Sequence, residues 1–256
     1  MSRKRKKFFS RLVIPVVLVL LLAVAFVLLI EWLRYRKAKL AQYPEFGIAI
    51  PGNYQIHGID VSRYQEIIAW EEVKKMNVRN IRIGFAFIKA TEGIGNDDPH
   101  FNRNWKKTKD NGMIRGAYHF FIATKDGKMQ AENFIRKVDL EPGDLPPVLD
   151  IEHTYGMSLE TVRKEAKRWL ETVEFNYGVK PIIYTNVEFY NRCLGKEFDE
   201  YPLWVAHYNE PQQPRIKRGW SFWQHSDKGS VNGIIPKVDF NVFAGDSVTF
   251  RSLLIK

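Results

Sequence analysis

In the stretch PPVLDIEHTYG (146–156), an apolar run, Val148 and Leu149, leads straight into two carboxylates, Asp150 and Glu152. Side chains alternate along a strand, so residues i and i+2 share a face, roughly 6.6 Å apart along the chain. A buried carboxylate costs several kcal/mol unless it is paired. Two acids closing an apolar strand therefore suit a cleft better than a core, although two solvated acids opening a loop give the same pattern. Asp60 in GIDVS (58–62) and Asp239 in KVDFN (237–241) also follow apolar leads. Carboxylates brought together raise one another's pKa, and one that stays protonated near neutral pH can serve as a general acid. Breaking a glycosidic bond needs that combination: an acid for the leaving oxygen and a carboxylate for the developing cation.

Eight short segments rich in β-branched and aromatic residues can position these acids: 56–62, 81–91, 114–121, 146–152, 180–186, 201–208, 220–226 and 238–243. Most lack strict alternation, as expected of strands buried on both faces. Between several lie helical patterns, the clearest at 158–178. There Ser158 can cap the start, Gly178 can end the helix, and Val162, Ala166, Trp169 and Val173 recur at helical spacing. This alternation predicts an α/β fold, an irregular TIM-like (β/α) barrel of eight strands. The connections 209–219 and 227–237 are short and rich in Pro and Gly, which predicts incomplete helices in the second half. First and last strands are neighbours in a closed barrel, so Asp60 and Asp239 are expected near Asp150 and Glu152 at the C-terminal mouth.

Eight ordered segments, HGIDVSRYQ, FAFIKATEG, RGAYHFF, PPVLDIE, PIIYTN, LWVAHY, FWQHS and VDFNVF, resemble the signature segments of the glycoside hydrolase family 25 lysozymes, over about residues 56–245. The resemblance implies an N-acetylmuramidase that cleaves the β-1,4 bond between N-acetylmuramic acid and N-acetylglucosamine in peptidoglycan. It implies Glu152 as general acid, Asp150 as its partner carboxylate, and Asp60 and Asp239 along the cleft. Lys89, Tyr118, Tyr184, Trp204 and Gln224 match positions expected to touch the sugar. The 2-acetamido group of muramic acid can attack the anomeric carbon from within the substrate, with Asp150 orienting its nitrogen; an inverting attack by water would use the same residues. Two other readings stay open. A chitinase-like barrel also sets acids at i and i+2, after a longer acidic run that PPVLDIE lacks. A catalytically inactive barrel could simply hold peptidoglycan at a membrane.

The net charge of +10 is concentrated at one end. Residues 1–40 hold ten Lys/Arg and one acid, which is +9 of the total, so the remainder is nearly neutral and no nucleic-acid partner is expected. Residues 12–30 carry no charge; nineteen residues at ~1.5 Å each span ~28 Å, close to the ~30 Å hydrocarbon core of a bilayer. The small-residue pattern Ala23-Val24-Ala25 lies inside this run, which predicts an uncleaved transmembrane anchor rather than a signal peptide. Six Lys/Arg precede the run and four follow it, which places the N-terminus in the cytoplasm and the domain on the periplasmic or extracellular side. The expected organisation is a basic tail (1–11), an anchor (12–30), a juxtamembrane linker (31–55) and a barrel domain (56–256). Two Pro and two Gly argue against a regular element in the linker.

No cofactor or metal is expected. The histidines form no H-E-x-x-H or H-x-x-x-H pattern, and the lone Cys193 has no intramolecular partner. His119 and His207, near strand ends, could shape the cleft, whereas alternation turns His153 away from the side of Glu152. The segment 91–97 reads as a cleft loop with Glu92 a further rim acid. Nothing in the sequence signals an oligomeric state.

Overall fold

The computed structural model of the chain describes residues 15–30, 32 and 40–256. An antiparallel hairpin comes first, β1 (Leu40–Tyr43) and β2 (Ile48–Pro51). The barrel begins with β3 (His57–Val61), and a two-residue strand, β4 (Asn77–Val78), leads into β5 (Ile81–Glu92). A second short strand, β6 (Asn96–Asp97), folds back on the end of β5. Then come β7 (Ile114–Phe120), β8 (Val148–Asp150), β9 (Ile182–Asn186), β10 (Leu203–Ala206), β11 (Phe222–Val231) and β12 (Ile234–Phe243).

Among the described residues eight strands close a ring, β3–β5–β7–β8–β9–β10–β11–β12 and back to β3. From β3 to β11 each neighbour is parallel, and β12 alone runs backwards, antiparallel to both β11 and β3. Parallel pairs need crossovers, supplied outside the ring by helices Trp70–Lys75, Phe101–Asp110, Gly127–Lys137 and Leu159–Tyr177. The last of these is built as its sequence predicts: the Ser158 hydroxyl accepts from the Thr161 amide, Gly178 ends the helix at φ +68°, and Val162, Ala166, Trp169 and Val173 are buried.

The second half departs from a regular β/α barrel. Between β9 and β10 the chain forms only short helical turns, at Val187–Phe189, Tyr190–Leu194 and Lys196–Phe198, and one further helix, Ser247–Leu253, follows β12. The expected connection 227–237 is replaced by strand: β11 and β12 extend through it and join at Asn232-Gly233, with Gly233 at φ +88°. An antiparallel pair needs only a two-residue link, so no helix is required there.

The barrel interior is aromatic. Phe85 and Phe87 lie edge to face, Phe87 stacks on Trp204 at 4.3 Å, and Phe222, Phe243 and Phe250 close the far end. Gly58 and Gly116 make this filling possible: a Cβ at Gly58 would sit 2.4 Å from the Phe85 ring, and one at Gly116 2.6 Å from Phe87.

Two expectations about the N-terminal region need correction or restriction. The linker expected at 31–55 contains folded structure, because residues 40–51 form the β1–β2 hairpin. Its turn packs into the core: Phe46 is fully buried, its ring meets Phe240 edge-on at 5.2 Å, and its carbonyl accepts from the Ser230 amide. The Pro and Gly residues that argued against a regular element sit at the turn and ends of this hairpin. As for the anchor, residues 15–30 are helical with exposed apolar side chains, and residues 12–14 lie outside the described residues. Among the described residues no helix is long and apolar enough to cross a membrane.

The hairpin is thus part of the barrel domain's core. Phe46→Ala is expected to cost about 3 kcal/mol or more and to lower the melting midpoint by about 6–12 °C. A calorimetric midpoint unchanged within 1–2 °C would show that the hairpin only rests on the surface.

Candidate active site

The local chain geometry brings the acids together from three elements. β8 is shorter than expected, ending at Asp150, because Pro146 and Pro147 cannot donate to a ladder and because 151–154 turn away toward the next helix. Ile151 is fully buried beneath, its amide bonded to the Tyr184 carbonyl, which leaves Asp150 and Glu152 on the cleft side. Asp60 on β3 and Asp239 on β12 are register partners directly across the antiparallel ladder. Like charges placed opposite one another are unfavourable, so this pairing persists only with compensation or a proton.

A cleft of about 250 Å³ opens at the carboxyl ends of the strands and is lined by all nine residues singled out from the sequence: Asp60, Lys89, Tyr118, Asp150, Glu152, Tyr184, Trp204, Gln224 and Asp239. Their exposures differ. Asp60 and Asp150 are 7% and 6% exposed, and Trp204, at 2%, forms the floor, held by its stack on Phe87 and by an indole N–H donated to Asn241. Lys89 pairs with Glu92 at 2.6 Å and lies over the Phe120 ring, so Glu92 neutralises a cleft cation as a rim acid.

Sequence reasoning missed Ser62, Tyr64, Phe120 and Tyr208, which also line the cleft, and Asn241 beneath it. Tyr208 and Asn241 stood in quoted segments, LWVAHY and VDFNVF, but nothing in a linear pattern separates a cleft tyrosine from a packing one. They matter because Gln224 is a hub. Its amide nitrogen donates to Asp60 Oδ2 at 2.8 Å, while its carbonyl accepts from the Tyr184 and Tyr208 hydroxyls at 2.8 and 2.6 Å. Asn241 gives the same Asp60 oxygen a second donor at 2.7 Å.

The electrostatics follow from burial. Asp60 is pushed up to about 6 by desolvation, which the amides of Asn241 and Gln224 partly offset by favouring its charged form. Asp239 has no such donors; desolvation and then the nearby Asp60 push it up to about 9. Asp150 is raised well above the usual carboxylate range, by desolvation first and by Glu152 second. Desolvation also raises Glu152, opposed by His153 and by a hydrogen bond with Asp150. A hydrogen bond between two carboxyls requires a proton on one of them, so the pair titrates as a unit. Among the described residues no N–H or hydroxyl donor reaches the buried Asp150 Oδ1.

The cleft continues past Glu152 in two directions. One cavity, of about 460 Å³, is walled by Val187, Ala206, His207 and Tyr208; another, of about 260 Å³, by His153, Thr154 and Arg192; Asn186 and Glu188 border both. His207 thus borders the groove, as expected. His119 does not: it points out of the barrel, bonded to Thr91 and Gln130 and stacked on Trp169, and is fully buried. His153, expected on the far side from Glu152, lines the smaller cavity with it, because strand alternation ends at Asp150.

The Asp239 carboxyl gives a pH signature. Its ordinary value is 3.8 and its folded value about 9. The folded chain therefore holds a proton that the unfolded chain has lost, and this group's contribution to stability falls as pH rises between those values. Asp239→Asn mimics the protonated form. It is expected to raise the melting midpoint at pH 7 by at least ~3 °C and to flatten its decline between pH 5 and 8; an unchanged pH slope would contradict a protonated Asp239.

Comparison with known proteins agrees with this geometry. The family model "Glycosyl hydrolases family 25" matches residues 59–234. The chain is 48% identical to "Uncharacterized protein YegX" of Escherichia coli (strain K12), over 84% of this chain and 78% of that one. It is 35% identical to Lysozyme M1 of Streptomyces globisporus, over 77% of this chain and 71% of the relative. Its structure is similar to that of a family 25 glycosyl hydrolase from Bacillus anthracis, with TM-score 0.73 and 33% identity over 84% of this chain and all of the other. A match of this extent leaves no place for the chitinase-like alternative. The chain belongs to family 25 of the glycosyl hydrolases.

Proposed function

We propose that the protein is an N-acetylmuramidase, hydrolysing the β-1,4 bond between N-acetylmuramic acid and N-acetylglucosamine in peptidoglycan. The observation that carries this reading is the desolvated Asp150–Glu152 pair at the barrel mouth, with one buried Asp150 oxygen that has no hydrogen-bond partner among the described residues. A binding-only barrel has no use for carboxylates held out of water at such cost.

Glu152, raised by burial and next to the open groove, is the general acid. It gives its proton to the glycosidic oxygen as the bond from that oxygen to the anomeric carbon breaks. The proton that the pair shares passes to Glu152 as Asp150 accepts the N–H of the 2-acetamido group, which turns that group's carbonyl oxygen toward the anomeric carbon, where it forms a bond as the leaving sugar departs. Water then opens the resulting ring, giving its proton back to Glu152. Asp60, kept anionic by Gln224 and Asn241, supplies negative charge for the oxocarbenium-like transition state. Asp239, Lys89, Tyr118, Tyr184 and Gln224 hold the sugar's polar groups over the Trp204 floor.

The uncharged run 12–30 and its basic flanks support a single-pass membrane anchor, with the N-terminus in the cytoplasm and the barrel on the periplasmic or extracellular side. Because residues 40–51 fold with the domain, only nine residues, 31–39, lie between run and hairpin. Fully extended, nine residues reach at most ~30 Å, so the cleft works close to the bilayer.

Incubation of the protein with purified peptidoglycan, with mass spectrometry of the new reducing ends, tests the reading. Reducing-end muramic acid is expected, with Glu152→Gln lowering kcat by about 10³-fold and Asp150→Asn also severely impaired. Reducing-end glucosamine would overturn the bond specificity.

A further inference from the structure

The groove forks at Glu152. The wider arm, between Val187, Ala206 and Tyr208, offers the apolar walls on which a sugar ring lies. The smaller arm is mainly polar, lined by His153, Thr154 and Arg192 beside Phe189 and Cys193, and Glu188 stands where the two arms meet, bordering both. An unbranched glycan passes along a single channel, whereas muramic acid carries a branch, a peptide attached through its lactyl ether. Resting on the muramidase reading above, we infer that the smaller arm is a binding site for the stem peptide of peptidoglycan.

The chemistry of the arm suits a short peptide bearing free carboxylate and ammonium groups. Arg192 and Glu188 form an ion pair at 3.2 Å, yet their side chains are 74% and 79% exposed. An exposed pair of this kind contributes little to stability and exchanges readily for a ligand's charges. The guanidinium takes a carboxylate in two parallel hydrogen bonds, and the Glu188 carboxylate takes an ammonium group. Thr154 and the amide nitrogen of Asn186, whose Oδ1 already accepts from the Phe189 amide, are groups of the kind that bond peptide amides.

A second observation is independent of the cavity. Arg192 lies on a π-helical turn, Tyr190–Leu194. Such turns are rare and gather at functional sites. This one is clamped from outside the groove: Arg163 Nε donates to the Cys193 carbonyl at 2.6 Å, and Arg218 donates to the Tyr190 hydroxyl at 3.0 Å. The clamp holds an irregular turn that places Arg192 in the lining of the arm.

The test compares two substrates with the full-length protein in detergent: peptidoglycan strands bearing their peptides, and the same strands stripped by a muramoyl-alanine amidase. The wild type is expected to cleave peptide-bearing strands with the higher kcat/KM. Arg192→Ala, an exposed position, is expected to lower that value about tenfold, through KM, as for loss of one charge-assisted contact, while cleavage of stripped strands stays unchanged. Equal kcat/KM for both substrates in the wild type, or an equal loss on both in the variant, would overturn the peptide site and leave the muramidase standing. Cleavage of neither substrate by the wild type would overturn the muramidase reading itself.

Discussion

Four carboxylates share one barrel mouth, two of them nine-tenths or more buried, and their mutual repulsion is the constraint that the rest of the site serves. Two remedies are visible. Asp60 keeps its charge because Gln224 and Asn241 both donate to one of its oxygens. Asp239, its register partner, has no comparable donors and is driven toward the neutral form. One strand pair thus carries an anion beside an acid, and the Asp150–Glu152 pair divides its proton in a related way. Environments that push neighbouring carboxyls apart in pKa are what acid catalysis requires.

The donors that relieve Asp60 are themselves fixed from below. Asn241 is oriented by the Trp204 indole, and Trp204 is fixed by its stack on Phe87 in the barrel interior. Phe87 fits because position 116 is glycine. A chain of contacts therefore runs from a missing side chain in β7, through the aromatic filling, to the charge state of a carboxylate at the mouth. The single reversed strand has a part in this. β12 carries both Asp239 and Asn241, one the competitor of Asp60 and the other its donor, and its antiparallel register against β3 sets Asp239 directly opposite Asp60.

Where sequence reading erred, the error was in context. Proline and glycine in 40–55 signalled irregular chain, yet turn and edge positions of a hairpin favour the same residues, and only Phe46 packing on Phe240 decides between them. His119 and His153 illustrate the same limit from opposite sides. Both stand near strand ends, but the side a residue faces depends on where strand geometry stops. β7 runs on through Phe120 and sends His119 outward, whereas β8 stops at Asp150 and releases His153 into the groove.

The sequence by itself determined which residue types could do acid chemistry, in what order, and on which eight strands, because apolar runs, caps and D-x-E spacing are local properties. The four cleft acids, Asp60, Asp150, Glu152 and Asp239, were legible in this way, whereas Lys89, Tyr118, Tyr184, Trp204 and Gln224 were legible only through the resemblance to a known family. What each one does was not. The neutral state of Asp239, the amide hub at Gln224, the burial of Trp204 as a floor, and the fork beyond Glu152 arise from residues tens to hundreds of positions apart. Desolvation and Coulomb repulsion depend on distance in space, and only closure of the barrel sets those distances.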